Sequence, residues 1–240
     1  MIIFNEKRYV EEKILISTGK ITSNKELLMF IRYYVDQGYD KNLIWKMAID
    51  KADEYEAVCD TIAYDFLFFD AYDKAVKRKQ YANEPTSVTQ CEYDWVRQVN
   101  DVEKEKILFT LLVIQKFLKL DFIKITYKDL KKFALTKKQP EALRKMIDEL
   151  QVDGYLKRIT DKTYGVVTPE CDESEDIIVI TDYNHIAAPY LRTLKTKEFF
   201  YCEWCGVKVK YKDEAEAVAK RAKVFCDKCS KQQHKDRLRS

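Results

Sequence analysis

Near its C-terminus the chain reads Tyr201-Cys202-Glu203-Trp204-Cys205-Gly206 and then Phe225-Cys226-Asp227-Lys228-Cys229, with 20 residues between the inner cysteines. Two C-x-x-C pairs at that separation have the spacing of a closed structural zinc site. Each pair forms a tight knuckle that offers two thiolates to one tetrahedral ion. Cys202, Cys205, Cys226 and Cys229 are therefore the expected ligands of one structural Zn2+. Gly206 fits a chain that must turn away from the knuckle without Cβ crowding. The alternatives are a redox pair and two disulfides. A redox motif needs only one C-x-x-C beside a strand–helix unit, and disulfides within a C-x-x-C are strained and staple little chain.

The 240-residue chain has room for a core and for more than one domain. Only 5 Gly and 4 Pro interrupt it, so long uninterrupted runs favour helix over an all-β fold. No apolar run reaches the ~18 to 20 residues of a membrane span. Early acids at Glu6, Glu11 and Glu12 argue against a signal peptide. Cys59, Cys91 and Cys171 are scattered, which points to a reducing, cytoplasmic setting rather than a disulfide framework.

Charge is unevenly spread. Residues 1–100 carry a net −3, 101–168 carry +5, 169–191 carry −6 and 192–240 carry +7. Two basic blocks thus flank an acidic connector, a pattern that suits a polyanionic partner at the basic blocks or simply a solvated surface.

Residues 1–81 read as a helical domain. A first helix spans Asn5 to Ile16 and stops near Gly19. Ser23 and Glu26 form a capping box before Leu27-Leu28-Met29-Phe30-Ile31, and Gly38 is placed to stop that helix. Asp40 caps a third helix carrying Leu43, Ile44, Met47 and Ile49. From about Glu54 to Gln80, Val58, Ile62, Phe66 and Phe69 form one stripe, widened by Ala63, Leu67 and Tyr72. The aromatic load of this domain suits a core, and also an exposed face for a protein partner. Residues 82–94, with Pro85 and small polar side chains, read as a linker.

Residues 95–182 form the second domain, with its acidic connector. A helix from about Asp101 places Ile107, Leu111, Ile114 and Leu118 on one face. Phe122 to Ile125 is a short strand, Thr126 caps a short helix ending near Leu135, and Pro140 opens a third helix that Gly154 ends. Tyr155 to Ile159 and Thr163 to Val167 form a hairpin around Thr160-Asp161-Lys162. Ile177 to Ile180 adds a strand that could pair with this hairpin or its sheet. Helix, strand, helix, helix and hairpin, with the passage Leu150-Gln151-Val152-Asp153-Gly154-Tyr155-Leu156 into the last, resembles the winged helix-turn-helix family over about seventy residues. The resemblance implies a third helix in the major groove and a wing on the backbone. Lys137, Lys138, Arg144 and Lys145 would then meet phosphates or guanine edges, while Glu141 and Asp148 disfavour close approach. Lys157, Arg158 and Lys162 charge the wing. Winged helices also dock proteins, so that role stays open.

Residues 183–240 form the cysteine module. Asp213 to Lys223 is rich in helix formers, with acids first and bases last. Phe225 is expected to pack on Tyr201 or Trp204. Lys228, Lys231, Lys235, Arg237 and Arg239 make a basic tail. The cysteines, glycine and tail resemble the zinc-ribbon or treble-clef termini of nucleic-acid-binding proteins, including those of viruses and bacterial mobile elements. His185 receives no catalytic role, and Asp172, Glu173, Glu175 and Asp176 read as a solvated connector.

No phosphate loop, nucleophile elbow or H-E-x-x-H occurs, and only 2 His are present. The chain therefore does not read as an enzyme. A carboxylate-dependent nuclease is the one enzymatic class that its many acids leave open. The sequence thus describes a mainly α protein: an N-terminal helical bundle, a central winged helix and a C-terminal four-cysteine zinc ribbon. Its expected role is DNA binding in transcription or its regulation, or in replication, with a protein partner on the aromatic N-terminal domain and no membrane or small-molecule substrate. The competing role is that of a protein-interaction subunit or inhibitor within a larger nucleic-acid machine. RNA binding through the ribbon and tail comes third.

Overall fold

The computed structural model describes residues 5–51, 61–77, 85–160, 162–171, 175–211, 217 and 224–237, with the backbone alone for 61–64 and 234–237. It is mainly helical, with small sheets, and divides into two compact units between Glu84 and Pro85. No helix among the described residues is long and apolar enough to cross a membrane.

The first unit is a helical bundle. Helix α1 (Glu6–Tyr9) continues as wider π-wound turns over Val10–Thr18 and ends on Gly19 in the left-handed conformation. Helix α2 (Asn24–Asp36) starts at Ser23, whose hydroxyl accepts from the Glu26 amide at 3.3 Å. Glu26 reaches back to Thr22 rather than to the cap's own amide, taking both its N–H and its hydroxyl. Asp40 caps α3 (Lys41–Asp50) through the Asn42 and Leu43 amides, and α4 covers Thr61–Val76. The core gathers Val10, Ile14, Leu27, Phe30, Ile31, Ile44 and Phe68.

The stripe expected on α4 is corrected here. Phe66 is 74% exposed and Phe69 45%, while Phe68, Ala71 and Ala75 are buried. The helix is apolar on several sides, so periodicity admits more than one inward face. Packing on α2 selects the side with two alanines, where the backbones can approach closely. Phe69 and Tyr72 instead lie under the Lys41 ammonium, at 4.4 and 4.9 Å. Val58 and Ile62, and the sequence before Thr61, lie outside the residues whose side chains are described.

The second unit runs from Pro85 and is built around helix α6 (Val102–Leu118). Sequence periodicity gives α6 one apolar face, but it is buried on nearly all sides: Ile107, Leu108, Phe109, Leu111, Leu112, Val113 and Ile114 are all inaccessible. Each such side chain contributes on the order of 2 kcal/mol. Around it lie β2 (Ile123–Lys124), α7 (Tyr127–Phe133), α8 (Pro140–Val152), β3 (Leu156–Thr160) and β4 (Thr163–Val166). These strands form an antiparallel sheet in the order β2-β4-β3, with Ile123 opposite Tyr164 and Leu156 opposite Val166.

The stretch read as a linker is structured from Pro85 onward. Thr86–Thr89 is strand β1 and Gln90–Arg97 is helix α5, whose N-terminus carries a complete Thr89–Glu92 capping box. Strand β5 (Asp176–Ile180) pairs antiparallel with β1, Thr86 opposite Ile180, and not with the hairpin as expected. The alternating Thr86 and Val88 of β1 and Ile178 and Ile180 of β5 are buried, which gives this ribbon its own reason to close on α6. The boundary expected at 182/183 also falls inside this unit. Helix α9 (Ala187–Thr193) packs on α6, β5 and the strand Phe199–Tyr201 that leads into Cys202, so the cysteine module is not separate from the helices.

The cysteine expectation also changes. Cys91 and Cys171 are joined by a disulfide that spans 80 residues and ties the first turn of α5 to the chain between β4 and β5. A reducing setting does not follow from a set that contains this cross-link. Cys59 lies outside the described residues.

Four charged residues of α6, namely Glu103, Glu105, Lys106 and Lys116, fasten its neighbours. The buried Glu105 carboxylate accepts from Arg97 Nη1 of α5 at 2.5 Å and from the Tyr190 hydroxyl of α9. Buried Lys106 donates to Glu103 at 2.6 Å, and Glu103 accepts from Thr136 at 2.6 Å in the turn before α8. Lys116 reaches Glu92, the capping glutamate of α5, at 2.8 and 2.7 Å. Burial, and then the hydrogen bond to Glu105, push the Tyr190 phenol well above its ordinary pKa. A raised folded pKa favours the neutral phenol, so this stabilisation is present below the ordinary value near 10 and is lost as pH rises above it. Glu105→Ala, which strands the buried Tyr190 hydroxyl and unpairs Arg97, is expected to lower stability by about 3 kcal/mol in urea titration. Tyr190→Phe should cost less, about 1 to 2 kcal/mol, and should flatten the alkaline fall in stability.

Candidate metal centre

The four cysteines converge. Strand β6 (Phe199–Tyr201) delivers Cys202, and β7 (Lys208–Lys210) returns antiparallel to it, Phe200 opposite Val209. The knuckle between them is closed by the Cys202 N–H to Val207 O at 2.9 Å and the Gly206 N–H to Cys202 O at 2.8 Å. The second knuckle comes from the chain at Val224, whose carbonyl accepts from the Glu203 amide at 2.9 Å. Helix α10 (Asp227–Arg237) begins at once, so Cys229 sits in its first turn and the Ser230 amide bonds Cys226 O. Phe225 meets the Trp204 edge at 6.3 Å, one of the two contacts expected of it. The expected helix over Asp213–Lys223 lies almost wholly outside the described residues.

The sulfurs of Cys202, Cys205, Cys226 and Cys229 all lie within 4.8 Å of one another, and those of Cys205 and Cys226 are 3.8 Å apart. A tetrahedron with metal–sulfur bonds of about 2.3 Å has edges of about 3.8 Å. The geometry therefore fits one ion held by four thiolates. Burial and neighbouring sulfurs push the Cys205 and Cys229 thiols up, whereas hydrogen bonds from Cys229 pull Cys226 below its usual value in spite of burial. Four thiolates this close would repel one another; protonation relieves that repulsion without a metal, and a cation at their centre would relieve it with all four ionised. A site closed by four sulfurs leaves no position for a reacting water, so a metal held here is structural.

The first knuckle is docked on the helices of its own unit. Gly206 has φ +68°, and a Cβ built on it would stand 1.9 Å from the carbonyl oxygen of Leu135, after the last turn of α7. Arg192 of α9 forms a two-pronged ion pair with Glu203 at 2.8 and 2.7 Å. The His185 ring lies 5.4 Å from that of Trp204, and Asp182 holds its Nδ1 at 2.8 Å.

The cations expected at a nucleic-acid surface divide into three groups. Lys137 and Lys138 are exposed in the turn before α8, and Arg144 and Lys145 are exposed on that helix opposite the buried Leu143, Ile147 and Leu150. Lys157 and Lys162 are exposed on the β3–β4 hairpin. Arg158 is different: its side chain is 15% exposed and ion-paired with Asp148 of α8, so its charge is largely neutralised within the fold. Lys228 and Lys231 are exposed on α10; the side chains of Lys235 and Arg237, and all of Arg239, lie outside the described residues.

Lys131 and Lys132 were not singled out by sequence, although a doubled lysine at a helix end is a legible basic signal. They lie with Lys137, Asn184 and His185 around Trp204. Comparison with protein-family models, with curated proteins and with solved structures finds no match.

Gly206→Ala combines a strained left-handed backbone conformation with a clash against Leu135 O. It is expected to weaken metal retention and lower stability by more than about 1 kcal/mol, read by competition with a chromogenic chelator and by thermal unfolding.

Proposed function

We propose that this is a non-enzymatic DNA-binding protein acting in transcription or replication, with a winged helix over residues 102–166 and one structural zinc on the four cysteines. The observation that carries the reading is the helix α8. Its apolar side is buried by Leu143, Ile147 and Leu150, while Arg144 and Lys145 project from the other side and Lys137 and Lys138 precede its N-terminus. Topology supports it too: α6, β2, α7, α8 and the β3–β4 hairpin follow in the order of a winged helix, and β2 pairs with the second strand of the hairpin. In that arrangement α8 enters the major groove and the hairpin, through Lys157 and Lys162, lies on the backbone. Arg158 then serves to fix the hairpin to α8 through Asp148, and phosphate contact falls to its neighbours. Zinc is the reading for the metal because four thiolates with tetrahedral spacing suit a borderline-soft ion without geometric preference.

A second reading has one observation in its favour. Phe66, Phe69 and Val76 lie exposed along α4 of the first unit, an apolar stripe of the kind a protein partner covers. In that reading the chain is an interaction subunit of a larger nucleic-acid machine.

Titration of duplex DNA over a range of salt concentrations tests the first reading. Affinity should fall log-linearly with salt, with a slope of about −0.9 per phosphate neutralised, and Arg144→Ala with Lys145→Ala should reduce that slope. Absence of binding at low salt would overturn it. Metal analysis should find one zinc per chain. Chelation, or Cys226→Ser, should unfold residues from about 199 onward while the helices persist.

A further inference from the structure

Beside the first knuckle a cleft of about 300 Å³ opens between the cysteine module and the end of α7. Its contents are chemically uneven. On one side stands Trp204, 37% exposed, with His185 against it. Around them are Lys131 and Lys132 from the last turn of α7, Lys137 from the turn before α8, and the amide of Asn184, which accepts from Lys132 at 3.3 Å. Among the described residues, Asp182 is the carboxylate bonded to His185 Nδ1 and the Asn184 N–H, and Glu103 holds the Thr136 hydroxyl at the cleft's edge. Among the described residues, Trp204 is the one tryptophan counted among the exposed large apolar side chains. Two of the three lysines are exposed and the third is half-buried. An aromatic ring bordered by ammonium groups is a poor place for an apolar protein segment, whose burial would strip water from three cations. It suits a flat π-system that carries its own negative charge.

We propose that this cleft binds an unpaired nucleotide of DNA, its base stacked on Trp204 and its phosphates on Lys131 and Lys132. The inference rests on the reading of α8 as a duplex-binding helix and extends it. Lys137 belongs both to the cleft and to the approach of that helix, so a strand leaving the duplex there can pass directly into the cleft. The preferred ligand is then a junction between double- and single-stranded DNA, with little choice of base, since every base has a π-face.

The test compares a blunt duplex with the same duplex carrying a short oligothymidine overhang, using the full, metal-loaded chain. The overhang should tighten binding roughly 5- to 150-fold for one stacked base. Trp204→Ala should abolish that increment and leave blunt-duplex affinity unchanged, whereas Trp204→Phe should keep most of it. Lys131→Gln with Lys132→Gln lies outside the knuckle and should shrink the increment without disturbing metal content. Equal affinity for blunt and overhanging duplexes would overturn the inference while leaving the duplex reading intact. So would an overhang increment that survives in Trp204→Ala. Binding to neither ligand would overturn both.

Discussion

The Glu105 carboxylate holds the larger unit together in a way that apolar packing alone would not. It lies 1% exposed in the first turn of a helix whose stretch from Ile107 to Ile114 is almost wholly Ile, Leu, Val and Phe. Apolar surface is indifferent to rotation and sliding, so α6 could seat its neighbours in several registers. Glu105 removes that freedom, because a buried charge tolerates only the arrangement that brings Arg97 and the Tyr190 hydroxyl to it together. Those two groups lie on α5 and α9, which precede and follow α6, α7, α8 and the hairpin in the chain. Lys106 with Glu103, and Lys116 with Glu92, repeat the device at two other places along the same helix.

This arrangement gives the four-cysteine cluster its place. Helix α9, positioned by Tyr190, presents Arg192 to Glu203 inside the first knuckle. The Glu103–Thr136 contact fixes the turn after α7, against whose Leu135 carbonyl Gly206 is seated. The cysteine module is thus docked on the two sides where polar residues of α6 act. A metal bound by Cys202, Cys205, Cys226 and Cys229 would close the knuckles, while the docking determines where their surface residues point. The Trp204 cleft lies where that docking brings the first knuckle, Cys205 included, against the end of α7.

Local signals in the chain proved reliable where the chemistry is short-range. The caps at Ser23, Asp40 and Thr126, the proline at the start of α8 and the left-handed Gly154 behind it all follow from backbone groups satisfied within a few residues. Signals that depend on a distant partner were misleading. Pro85 and its small polar neighbours look like a linker, yet the Thr89-Gln90-Cys91-Glu92 capping box was legible there, and β5, some ninety residues on, supplies the other half of the ribbon. Phe66 and Phe69 fit a helical stripe as well as Phe68, Ala71 and Ala75 do. Nothing along one helix says which side meets α2.

By itself the sequence determined the four-thiol cluster, the succession of helices and strands from α6 to β4, and the cations on the outer side of α8. Each of these rests on spacing: two residues between cysteines, three to cap a helix, four to line its face. Only the tertiary structure decided that Arg158 is neutralised by Asp148 while Lys157 stays free at the surface, that Cys91 meets Cys171, and that Lys131, Lys132 and Trp204 share one cleft. Those pairings join residues from different elements. They depend on how a nearly featureless apolar helix seats its neighbours, and buried charge, which spacing along the chain does not encode, makes that choice.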